Sequence, residues 1–163
     1  MMKFKLTHLV GAAFIGLASF SSCTDACKDV VCQNAGTCVE GDCVCADGYI
    51  GTNCETEERA QFLASYSVSE SCTSGNYTYS VTTSSSSTGV TAIIIANFGD
   101  YNTNVNATVD GNNITIANQT HQVQGFPLTF SGTGQISGNI LSISYTVSDG
   151  SNTDTCTMTC TKQ

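Results

Sequence analysis

Positive charge is scarce in this chain: 163 residues hold only five lysines and arginines against 13 aspartates and glutamates, a formal net charge of −8. A surface of that sign repels phosphate backbones, so nucleic acid is not expected as a partner. Tryptophan is absent and there are only two histidines, His8 and His121. Catalysis normally needs a base beside a nucleophile or a metal. His121 stands in a Gln-rich polar stretch that reads as a solvated loop, and acids such as Asp110 and Asp149 sit at turn signals. The expectation is therefore a non-enzyme, with no catalytic residue, cofactor or metal. No segment shows a helical repeat with caps.

Cysteine, in contrast, is abundant. Seven of the ten cysteines crowd between positions 23 and 54, a density that belongs to oxidising compartments, where bridges replace a core too small to hold itself. The N-terminus agrees. Lys3 and Lys5 precede the apolar run Leu9-Val10-Gly11-Ala12-Ala13-Phe14-Ile15-Gly16-Leu17-Ala18, then Ser21-Ser22-Cys23. The run is shorter than the roughly 20 apolar residues that span a bilayer and has the length of a secretory signal. The segment resembles a bacterial lipoprotein signal, which implies cleavage before Cys23, acylation of that cysteine and a membrane partner reached through the lipid. An outer-membrane or cell-surface location follows from the resemblance. Phe20 stands where that family usually has leucine, which keeps ordinary signal cleavage as the alternative. Removing residues 1–22 takes away two lysines and no acids, so the net charge moves from −8 to −10 and leaves Lys28, Arg59 and Lys162 as the cations.

The most specific local pattern is Cys27-x4-Cys32-x5-Cys38-x4-Cys43-x-Cys45-x8-Cys54, closing on Gly48-Tyr49-Ile50-Gly51. Six cysteines allow 15 pairings, so spacing alone leaves connectivity open. The pattern resembles an EGF-like module, and that resemblance implies Cys27–Cys38, Cys32–Cys43 and Cys45–Cys54. About thirty residues bury too little apolar area to offset backbone entropy without such bridges. Calcium-binding members carry acidic or amide residues before the first cysteine. Here Asp25 is followed by Ala26, and only Val39-Glu40-Gly41-Asp42 separates the third and fourth cysteines, so no calcium site is expected.

From Phe62 onward the composition turns to Ser, Thr, Asn and Gly with apolar residues at a period of two, the signature of strands. The alternating sets are Ala64-Tyr66-Val68, Tyr77-Tyr79-Val81, Val90-Ala92-Ile94-Ala96-Phe98, Val105-Ala107-Val109, Ile114-Ile116, Leu128-Phe130 running on to Ile136, Leu141-Ile143-Tyr145-Val147 and Cys156-Met158-Cys160. Ser84–Ser87 reads as a hairpin tip. Eight strands with turn signals at this spacing predict a mainly β protein: the disulfide-rich module followed by an antiparallel eight-stranded barrel, with a β-sandwich as alternative. By pattern alone the barrel resembles a small lipocalin. The expected domains are a signal at 1–22, a lipidated N-terminus at 23–26, the EGF-like module at 27–58 and the barrel at 59–163.

Cys72, Cys156 and Cys160 fall in phase with the apolar faces of their strands. In a closed antiparallel sheet of eight, the first and last strands are neighbours, and the end of one lies beside the start of the other. That geometry predicts Cys72–Cys156, with Cys160 a buried thiol. Glu70 shares the phase of Tyr66 and Val68; it either lines a barrel mouth and orients a ligand or is a strand-end carboxylate in water. The functional expectation is an envelope-anchored binding or interaction protein whose partner is a protein, glycan or small apolar ligand, with the module as spacer. A carrier of a small apolar molecule is the alternative.

Overall fold

The computed structural model describes residues 26–163; the signal-like segment, Cys23 and Asp25 lie outside the described residues. The N-terminal region is built on two short antiparallel strand pairs: β1 (Thr37–Val39) pairs with β2 (Asp42–Val44), and β3 (Tyr49–Ile50) with β4 (Thr56–Glu57).

 Three disulfides tie these hairpins together, Cys27–Cys38, Cys32–Cys43 and Cys45–Cys54, the pairs that the family resemblance implies. Val31, Val39, Val44 and Ile50 remain exposed, so the bridges take the part that an apolar core plays in a larger domain.

Eight further strands close into a barrel: β5 (Ser65–Cys72), β6 (Gly75–Ser85), β7 (Ala92–Ala96), β8 (Val105–Asp110), β9 (Asn113–Val123), β10 (Phe126–Ser137), β11 (Ile140–Ser148) and β12 (Thr153–Lys162). Each pairs antiparallel with its chain neighbour, and β12 returns to pair with β5, so no edge is left open. Cys156 and Cys72 face each other across that seam and are bonded. Cys160 is a buried thiol whose pKa is pushed up to about 12, chiefly by burial. Among the described residues no helix is long and apolar enough to cross a membrane.

The interior is filled. Tyr66, Ile93, Ile95, Phe130, Leu141, Ile143 and Met158 are all fully buried. Two strands depart from the sequence expectation. In β7 the inward residues are Ile93 and Ile95, not Ala92, Ile94 and Ala96, because Ala-Ile-Ile-Ile-Ala is apolar in both phases and alternation cannot choose between them. Phe98 leaves the strand altogether for the short 3-10 turn Phe98–Asp100. β9 runs on to Val123, and a register shift opposite Phe130–Gly132 changes its phase: Ile114 and Ile116 are buried before it, Val123 after it. His121 therefore lies within a strand and is half-buried, not in a solvated loop; its Nε2 is 3.0 Å from Gln119 Oε1. The Ser84–Ser87 tip is likewise shifted, since Ser84 and Ser85 pair with β7 and Ser86 is buried.

The end of the barrel nearest the disulfide-rich region is closed by the 3-10 turn Glu58–Phe62, whose Phe62 is fully buried. Tyr66 Oη and Thr83 Oγ1 both donate to the Phe62 carbonyl. Arg59, only 9% exposed, joins the two regions. Its Nη1 donates to the carbonyls of Ser86, Gly89 and Ala92, each at 2.8 Å, while Nε donates to Glu57. Glu58 N also donates to Gly48 O. Hydrogen bonds to charged groups contribute about 1.5–3 kcal/mol each when cleanly deleted. Arg59→Met is accordingly expected to cost about 2–3 kcal/mol and to speed amide exchange in residues 86–92; unchanged exchange there would show that the clamp is not what holds the loop.

Candidate functional site

At the opposite end of the barrel, β5 carries Glu70 inward behind Tyr66 and Val68, and the residue is 3% exposed. Taking a carboxylate out of water is unfavourable unless it is hydrogen-bonded or paired. Tyr145 Oη donates to Glu70 Oε1 at 2.7 Å. Tyr79 Oη is also buried and has no hydrogen-bond partner of good geometry, and the negative charge of Glu70 adds to burial in disfavouring its ionisation. Burial raises the pKa of Glu70, and the Tyr145 hydrogen bond opposes that rise. Burial likewise raises Tyr79, Tyr101 and Tyr145, so their hydroxyls remain protonated donors near neutral pH.

The turn after β7 folds over this end. Phe98 packs edge-on against Tyr145 (centroids 4.6 Å apart) and Phe130 (5.9 Å), and Tyr101 against Phe130 (5.6 Å). Gly99 makes the closure geometrically feasible: its φ is +64°, and a Cβ there would sit 2.8 Å from Tyr145 Oη. Gly132 has a similar duty beneath the ring, since an added Cβ would lie 2.6 Å from Tyr145 Cβ.

A cavity of about 240 Å³ opens above Glu70, lined also by Tyr77, Asp100, Tyr101, Tyr145 and Asp154. A second, of about 390 Å³, shares Tyr101 and Asp154 and extends to Leu128 and Val147. Asp154 accepts hydrogen bonds from Thr73 and Ser74, which lower its pKa. Glu70, Cys72 and Cys156 lie close enough to suggest a metal cluster, but the two sulfurs are bonded to each other, leaving one carboxylate. His121 does not line the Glu70 cavity.

Sequence phase alone pointed to Glu70; the tyrosines around it come from two different strands and a turn, and no local motif marks them. Arg59 and Phe62 gave no signal beyond their position at the domain boundary. No protein-family model matches the chain, and no curated protein matches it.

The raised pKa of Glu70 has a testable sign. The folded state holds this proton more tightly than the unfolded chain, so its stabilising contribution is present below the ordinary value of 4.5 and is lost as pH rises through the folded pKa. The lowered Asp149 and Asp154 act below 3.8, outside that window. Wild-type melting temperature should therefore carry a component that falls as pH rises above 4.5, and Glu70→Gln should remove it. Identical pH profiles for the two proteins would contradict the assignment.

Proposed function

We propose that this chain is a cell-envelope lipoprotein, anchored through Cys23, that acts by binding without turnover, with an EGF-like module (27–58) as spacer and a lipocalin-like barrel (59–163) as the binding end. One observation carries the reading: the recessed, polar Glu70 mouth lies at the far end of a filled barrel from the disulfide-rich region. A tether at the N-terminus would thus leave that mouth pointing away from its anchor. The three bridges support the EGF-like reading, pairing first with third, second with fourth and fifth with sixth. A carrier of an enclosed apolar molecule fits less well, because Tyr66, Phe130, Leu141, Ile143 and Met158 occupy the interior. Burial holds the Tyr101 and Tyr145 hydroxyls of the cavity wall protonated, not activated as nucleophiles, which favours recognition over chemistry. The acidic surface argues for a partner other than nucleic acid.

Intact-mass measurement on protein extracted from membranes tests the anchor: an acylated N-terminal Cys23 is expected, held by chains contributing about 0.8 kcal/mol per buried methylene. A soluble product starting at another residue would refute it. Native mass spectrometry of the same sample should show no apolar molecule inside the barrel.

A further inference from the structure

The cavity above Glu70 is acidic and aromatic at once. Glu70, Asp100 and Asp154 line it together with Tyr77, Tyr101 and Tyr145, and no lysine, arginine or histidine does. Among the described residues the ion pair is Arg59–Glu57, at the other end of the barrel. Glu70 is thus a carboxyl 97% removed from solvent with no cation beside it, and only its Oε1 receives a hydrogen bond of good geometry. Buried charges are ordinarily paired, and ring faces attract ammonium groups, most strongly where water is excluded. The size is restrictive, since pockets for drug-sized ligands measure roughly 300–1,000 Å³ and this one about 240 Å³.

We propose that this cavity binds a small organic ammonium ion, its charged head against Glu70 and the tyrosines and a short apolar tail reaching toward Leu128 and Val147 in the adjoining cavity. The proposal rests on the reading of the barrel as a binding end and names the ligand class. The tyrosine rings select a head that is desolvated easily, which favours an organic ammonium over a hydrated metal ion.

Calorimetric titration of the full-length protein tests this with three probes: phenethylammonium, its neutral analogue phenethyl alcohol, and calcium chloride. Phenethylammonium should bind saturably at one site, at least tenfold more tightly than the alcohol. Glu70→Gln should weaken the ammonium at least tenfold and leave the alcohol unchanged. Asp100→Asn, at an exposed turn position, should weaken it about threefold and guards against misfolding of the buried variant. Equal binding of ammonium and alcohol, calcium binding without ammonium binding, or no saturable binding of any probe by millimolar concentration would each overturn the proposal. None of these would touch the envelope-anchored reading, which fails instead on an unacylated soluble product or on turnover.

Discussion

Phe130→Ala is expected to destabilise the barrel by about 3–5 kcal/mol, the range for removing a large aromatic from a packed interior. Phe130 is fully buried and touches three other rings, Phe98 and Tyr101 of the turn after β7 and His121 of β9. The cost combines lost transfer energy with lost contacts. Chemical denaturation reads it as a shift in midpoint. The turn Phe98–Asp100 should loosen as well, because its aromatic anchor packs on the deleted ring. A loss below about 1 kcal/mol would mean that the interior collapses easily or is not filled, and would revive the enclosed-ligand alternative.

Cys72→Ser should cost about 4 kcal/mol under oxidising conditions. The bridge to Cys156 spans 84 residues, and in the chain-entropy model a loop of that length restricts the unfolded state strongly. The bond also fixes the pairing of β5 with β12, where the sheet closes. Cys160→Ala, which breaks no bridge, should cost much less. Equal losses from the two substitutions would show that packing, rather than the cross-link, sets the stability of the seam.

Much of this architecture was legible because its signals are local. Six cysteines at EGF-like spacing and strands of period two announce themselves within a few residues, and the Cys72–Cys156 pair follows from closure of an even number of strands. The failures share a different cause. In β7 both faces are apolar, so Ile93 and Ile95 could not be told from Ala92 and Ile94. In β9 one extra residue reverses the phase ahead of His121, and a bulge leaves no mark in composition. The site itself depends on tyrosines brought together from separate strands, and the joint depends on Arg59 meeting carbonyl oxygens about thirty residues away. Contacts of that range are written in the fold, not in any window of sequence.

The Arg59 joint has a consequence for how the protein can vary. The guanidinium grips backbone oxygens, which every amino acid supplies, so the side chains of residues 86–92 are free to drift where they do not pack on the neighbouring region. Length is another matter. Inserting or deleting one residue between Ser86 and Ala92 would take at least one of the three carbonyls out of reach, so the loop tolerates a change of chemistry far more readily than a change of size.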